Sequence, residues 1–188
     1  LNLRQKARFV AVPTTSGTGA DVTWVAVLTD RAMNRKIVFA HNDIVPDLSV
    51  LESSLTLALP KHLTASTGLD VIAHAVDGCV SRQQNDFSDG PCLQAVKMAM
   101  EWLPVACRDG SNLMAREKMQ NAATIAGLGF GNSNTGLSHA LGHSAGAVFH
   151  LPHGRAIGIA LPYSLTYIAS NPPIQGVPDP VERLAVLA

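Results

Sequence analysis

The stretch LSHALGHSAGAVFHLPHG, residues 137–154, holds four of the chain's seven histidines among residues that are mostly small or apolar. Imidazoles buried in such a run must be hydrogen-bonded or metal-bound to be tolerated, and neutral imidazole is the commonest metal ligand. His139 and His143 stand four apart, so they share one face of a helix. His153 comes fourteen residues after His139, a separation of roughly 21 Å along an unbroken helix. One ion can take both only if the helix stops and the chain doubles back. Gly146 and Pro152 are the residues that permit this, because Gly terminates helices and Pro is excluded from their interior. The expectation is a helix from Leu137, a break between Gly146 and Pro152, and His153 on the returning segment.

A second stretch, TGLDVIAHAVD at residues 67–77, repeats the spacing of four with Asp70 and His74. A carboxylate and an imidazole so placed can bind one ion. The competing reading is an Asp favoured by a helix N-terminus beside an unrelated His. Together Asp70, His74, His139 and His153 make one carboxylate and three imidazoles, a set that suits Fe²⁺ or Zn²⁺ rather than Mg²⁺ or Ca²⁺. His41, His62 and His150 fit no such spacing and read as structural or solvated.

Working outward, the first fifty-odd residues are strand and loop: β-rich runs at residues 8–12, 22–28, 36–39 and 48–51. Between the first two lies PTTSGTGAD, residues 13–21, a tight turn with two glycines and four hydroxyls. It matches neither G-x-G-x-x-G, since Val22 stands at the third Gly, nor the P-loop, which needs Gly-Lys-Ser/Thr. Its backbone N–H groups could still approach a phosphate or ribose. After Ser53 the pattern turns helical. Helices are expected at residues 63–81, with Pro60 as a first helical residue and a break at Thr67–Gly68, then at 89–105, 116–130, 137 onward and 154–169. Pro172, Pro173, Pro178 and Pro180 mark a loop before a last fragment. Strands followed by helices suggest two domains, residues 1–55 and 56–188.

Hydrophobic residues make up 47% of the 188, but charged ones only 15%, against the usual ~25%. Much surface must therefore be covered, by a core, a second copy in a homo-oligomer, or a missing part of the protein. Zero net charge and no Lys/Arg cluster argue against nucleic acid and membrane surfaces as partners, and no apolar run nears the ~18 residues of a membrane span. Cys79, Cys92 and Cys107 form no C-x-x-C pair, which points to a reducing cytoplasm rather than a disulfide framework. The start without Met and the end inside a helix-like pattern read as a piece of a longer protein.

PTTSGTGADVT, TGLDVIAHAVD and SHALGH…LPHG, in this order and at these separations, resemble the iron-containing (group III) alcohol dehydrogenases over essentially the whole chain. The resemblance implies an α/β strand-rich remnant of a Rossmann-like dinucleotide-binding domain, then an all-α metal-binding domain of the dehydroquinate synthase-like kind, truncated at its C-terminus. By position it assigns Fe²⁺, or Zn²⁺ in some members, to Asp70, His74, His139 and His153. It makes His143 a proton relay near the nicotinamide. It gives NAD or NADP contacts to Thr14, Thr15 and Thr18, with Lys36 at the nicotinamide ribose, and it places a G-G-G-S pyrophosphate loop upstream of Leu1. Asp21 and Asp77 stand where the family has Glu, and neither is expected to touch a ligand. The implied reaction is hydride transfer between a small alcohol or aldehyde and NAD(P), with the metal a Lewis acid on the substrate oxygen. Two other readings use the same ligands. One is a metal-dependent hydrolase or lyase, for which Asp77 is the available base. The other is a non-catalytic, metal-stapled helical module with a closed site.

Overall fold

A computed structural model describes residues 7–33, 35–171 and 178–187, and in them strands give way to helices after Ser49. The β-branched runs form β1 (Val10–Ala11), β2 (Val25–Asp30), β3 (Arg35–Ala40) and β4 (Leu48–Ser49). β2 and β3 pair antiparallel, from Val25 opposite Ala40 to Asp30 opposite Arg35, and β1 pairs parallel with β4. Six helices follow: α1 (Lys61–Val80), α2 (Asp86–Arg108), α3 (Leu113–Phe130), α4 (Leu137–Phe149), α5 (His153–Ser170) and α6 (Pro180–Leu187). Among the described residues no helix is long and apolar enough to cross a membrane.

Several expected boundaries shift, each for a local reason. Pro60 is the cap of α1 rather than its first helical residue, with extended backbone at ψ 151. The expected break at Thr67–Gly68 is absent, and α1 runs straight through it. Thr67 Oγ1 donates back to the Leu63 carbonyl at 2.9 Å, so its hydroxyl is satisfied without interrupting the helix. At Gly68 a Cβ would stand 2.2 Å from Leu103 Cδ1, so this glycine makes room for a neighbour instead of ending a helix. α2 starts earlier than expected, at Asp86, because Asn85 and Ser88 form a reciprocal capping box. That leaves Pro91 and Pro104 both inside the helix. α3 likewise begins at Leu113, capped by the Asn112 side chain on Ala115 N. Of the expected proline loop, Pro172 and Pro173 lie outside the described residues, and Pro180 opens α6.

The core is gathered where α1, α2 and α3 meet. Val71, Ala75, Ala95, Ala99, Ala122 and Ala126 are all 0% exposed. Alanine-lined contacts let helix axes approach closely, so the three helices form a stiff unit. Arg116 of α3 locks the start of α1 to it, donating to Thr64 Oγ1 at 2.7 Å and to the Leu59 and Gly110 carbonyls. α5 is drawn equally close to α1: a Cβ on Gly154 would stand 2.1 Å from the Ser66 carbonyl oxygen. This contact fixes the position of His153, the residue before it.

Candidate metal centre

α1 carries Asp70, His74 and Asp77 at i, i+4 and i+7, one stripe along the helix, exposed by only 2%, 5% and 0%. α4 brings His139 and His143. The chain then breaks as the spacing demanded: α4 ends at Phe149 and α5 begins with His153 itself. The turn is made at His150, which takes a left-handed conformation (φ 54, ψ 35). Gly146 stays helical and accepts from Leu151 N at 3.2 Å. Instead of being roughly 21 Å apart as on a straight helix, the rings of His139 and His153 have centroids 6.0 Å apart.

Three imidazole nitrogens converge on one carboxylate oxygen. Asp70 Oδ1 stands 3.7 Å from His74 Nδ1, 3.7 Å from His139 Nε2 and 3.5 Å from His153 Nε2. These separations are long for hydrogen bonds. They are close instead to the three edges of a ligand tetrahedron that meet at Asp70 Oδ1, since donors ~2.1 Å from one cation lie about 3.4 Å from each other. Asp70 Oδ1, His74 Nδ1 and His139 Nε2 are moreover buried with no hydrogen-bond partner, a state that protein interiors rarely leave uncompensated. Asp70, His139 and His153 form the tight set, their ligand atoms all within 4.8 Å of one another. His74 is close to Asp70 but outside that set. Its ring is stacked on Phe130 and tilted by 36° to that of His139, with both centroids 4.2 Å away. One carboxylate and three imidazoles, with three orphaned donor atoms facing inward, fit a divalent transition-metal ion.

The protonation states of Asp70, His74 and His153 agree with ligation, and His139 is the exception. Burial pushes the His74 pKa down to about 3 and lowers that of His153, so both are neutral near pH 7. Burial alone would raise the Asp70 carboxyl, but His74, His139 and His153 hold it down at about 2, hence ionised. In His139 burial is outweighed by Asp70 and Asp77, and its pKa rises.

The other expected site residues are placed around this cluster. His143 is half-buried, its ring 5.0 Å from that of His153 and 6.1 Å from that of His139, outside the ligand set. Burial and then His153 lower its pKa to about 4. Lys36, on β3, reaches the cluster directly: Nζ is 3.2 Å from His153 Nδ1, and burial lowers its pKa. Thr14, Thr15 and Thr18 are exposed, Thr18 Oγ1 accepting from Ala20 N at 3.3 Å. Their loop is pressed against α1, since a Cβ on Gly17 would stand 2.9 Å from Thr67 Cβ, one turn before Asp70. It borders the metal cluster without entering it. His41 and His150 act as caps of a 3-10 turn and of α4, and His62 is exposed.

One expectation is overturned. Asp77 was to stand clear of the ligands, yet its Oδ2 accepts from His139 Nδ1 at 2.8 Å, from Ser138 Oγ at 2.7 Å and from Gly136 N at 2.9 Å. The i+7 spacing from Asp70 was the signal that could have revealed it. Asp21, by contrast, does keep apart: it accepts from Ser49 Oγ and Thr124 Oγ1, both at 2.8 Å, tying β4 to α3. Because Asp77 is fully buried and committed to α4, it offers no base on the open side of the cluster.

Residues 64–186 match the model of the Fe-containing alcohol dehydrogenase family, C-terminal, and residues 1–53 that of iron-containing alcohol dehydrogenase. The chain is 42% identical over 170 residues to an aldehyde-alcohol dehydrogenase of Streptococcus pneumoniae, covering 90% of this chain and 19% of that protein. It is 39% identical over 179 residues to the 1-propanol dehydrogenase PduQ of Salmonella typhimurium, covering 95% and 47%. Among solved structures it resembles the sulfoacetaldehyde reductase of Bifidobacterium kashiwanohense in complex with NAD⁺, with TM-score 0.82, 33% identity and coverage of 98% and 53%. A halo-thermophilic archaeal alcohol dehydrogenase from a Red Sea brine pool gives TM-score 0.87 at 29% identity, covering 99% and 47%. The chain thus spans half or less of the length of these curated relatives, and about half of these structures.

Proposed function

The chain belongs to the iron-containing alcohol dehydrogenase family, and we propose that it carries the metal-binding part of an NAD(P)-dependent oxidoreductase that interconverts a small alcohol and its aldehyde. The observation that carries this reading is the convergence of His74, His139 and His153 on Asp70 Oδ1 at 3.5–3.7 Å. Asp70, His74, His139 and His153 hold Fe²⁺, with Zn²⁺ the alternative. A divalent ion there supplies Lewis-acid polarisation of the alcohol or carbonyl oxygen.

The chain's own residues do the rest. Asp70, ionised and desolvated, concentrates negative charge at the ion's place. His153, whose side chain is 30% exposed, leaves one side of the cluster open to a small molecule, which supports a reactive site over a closed structural staple. His143 lies on that side with a neutral ring, and a neutral imidazole accepts a proton and passes it on. The threonine loop bordering α1 is assigned to the cofactor through Thr14, Thr15 and Thr18. Lys36, 3.2 Å from His153 Nδ1, is assigned to the nicotinamide ribose. Residues 1–55 are read as the end of a Rossmann-like dinucleotide-binding domain and residues 56–188 as a helical, dehydroquinate synthase-like domain. The switch from strands to helices between Ser49 and Lys61 supports that division. The free thiols Cys79, Cys92 and Cys107 support a reducing, cytoplasmic setting. Exposed Val27, Leu28, Val38 and Phe39 are apolar surface that a second copy in a homo-oligomer, or the rest of a longer protein, would cover.

The test uses the complete parent protein, loaded with Fe²⁺ and offered short alcohols with NAD⁺ and NADP⁺, or aldehydes with the reduced cofactors. A change in nicotinamide absorbance that disappears on chelation is expected. No change with any member of the set would overturn the assignment.

A further inference from the structure

We infer that Asp77 is a positioning residue for the metal cluster: its carboxylate fixes the tautomer and tilt of His139 so that Nε2 faces the ion. The inference rests on the metal reading above and assigns a role to a group outside the four ligands.

The geometry is specific. An imidazole can offer Nε2 to a metal only with its proton on Nδ1, and that tautomer is set by what Nδ1 meets. Here it meets Asp77 Oδ2 at 2.8 Å while Nε2 points to Asp70 Oδ1. A carboxylate has acceptors and no donor, so it selects the Nδ1–H form. The same oxygen also takes Gly136 N and Ser138 Oγ. α4 has no side-chain cap of its own, so Asp77, reaching across from α1, caps it. One buried oxygen therefore holds both the start of α4 and the ring that α4 presents. Gly136 permits the approach: a Cβ there would stand 3.1 Å from Asp77 Cγ and Oδ1. Carboxylates behind ligating histidines raise ligand basicity and are worth about 10–100-fold in metal affinity.

The test compares the full 188-residue chain with Asp77→Ala, which removes the acceptor, and Asp77→Asn, which keeps one acceptor oxygen but not the charge. Asn112→Ala is the control. It deletes a helix cap on α3 and lowers stability without touching the cluster. Three quantities are read: Zn²⁺ affinity by competition titration, the visible spectrum of the Co²⁺ form, and the ¹⁵N shifts of His139 in the metal-free chain, titrated to alkaline pH so that the neutral ring is observed. Affinity is expected to fall about 10–100-fold in Asp77→Ala and by a smaller factor in Asp77→Asn, with an altered Co²⁺ spectrum and a mixed His139 tautomer in the first. Asn112→Ala should leave all three readings as in the wild type. If Asp77→Ala does not fold, the intermediate behaviour of Asp77→Asn decides. Wild-type affinity and spectrum in the Asp77 variants, or losses matched by Asn112→Ala, would overturn the inference. A wild-type chain that binds no ion while His139 keeps a pure Nδ1–H form would instead overturn the metal reading and leave the tautomer assignment standing.

Discussion

Toward α2 and α3, α1 presents Val71, Ala75 and Cys79, exposed by 0–1% and part of the apolar core. Toward α4 and α5 the same helix presents Asp70, His74 and Asp77, exposed by 5% or less. The two faces are equally buried, yet the first leaves nothing polar to satisfy, while the second keeps three of its atoms, Asp70 Oδ1, His74 Nδ1 and Asp77 Oδ1, without a hydrogen-bond partner. Buried unpaired polar atoms cost roughly 1–3 kcal/mol each. A helix that tolerates this on one side only does so because the other side anchors it, and an ion in the proposed site would recover the cost at Asp70 and His74 by taking their lone pairs. The core face is about stability and the polar face about ligation.

That contrast is open to direct challenge. The largest effect belongs to the polar face. Zinc binding of ~10–16 kcal/mol spread over four donors makes one ligand worth about 2.5–4 kcal/mol, or roughly 60- to 700-fold in affinity. Asp70→Ala should therefore abolish stoichiometric metal binding in a titration, while the metal-free variant unfolds at or above the wild-type denaturant midpoint. Next comes the core face. Met119→Ala, at a residue 2% exposed, should lower unfolding free energy by about 3 kcal/mol and leave metal affinity where it was, provided the chain remains folded at the assay temperature. A parallel loss of affinity would show that the faces are not independent.

Acid gives a smaller, graded effect. His74 titrates at about 3 when folded because burial resists its charge, and near 6.5 when unfolded. A depressed histidine favours folding fully above its unfolded pKa. As pH falls from 6.5 toward 3 the unfolded chain binds a proton that the folded chain refuses, so stability drops, by up to about 1.4 kcal/mol per pH unit. His153 shifts the same way. His139 shifts the opposite way, contributing stability at low pH that fades as pH rises through its folded pKa. The metal-free chain should thus have a lower denaturant midpoint at pH 5 than at pH 7, and His74→Phe should flatten the slope. The smallest effect is expected at His143: outside the ligand set, its change to Ala should move metal affinity by no more than about twofold, in the ±0.5 kcal/mol range.

Much of this was legible in the sequence. The spacing of His139 and His153 demanded a break, and the break exists because Pro152 cannot continue α4 and His150 accepts a left-handed turn. The four strands and the order of helices followed from β-branched runs and helical periodicity. What escaped were features set by partners distant in sequence. Gly68 resembles a helix breaker until Leu103 is seen filling the space above it. Asn85 and Ser88 form their capping box without the usual Glu or Gln, so α2 looked shorter than it is. Asp77 looked remote because its partner, Nδ1 of His139, lies 62 residues along the chain. Lys36 was assigned only to a cofactor, and no local pattern connects it to His153.

The central claim, that one divalent ion is held at Asp70 by His139, His153 and His74, is tested most directly by Co²⁺ titration of the 188-residue chain near pH 7 under anaerobic conditions. One equivalent, with visible bands of a nitrogen- and oxygen-ligated ion that vanish in Asp70→Ala, is the predicted result. No saturable binding, or bands that survive unchanged in Asp70→Ala, would contradict it.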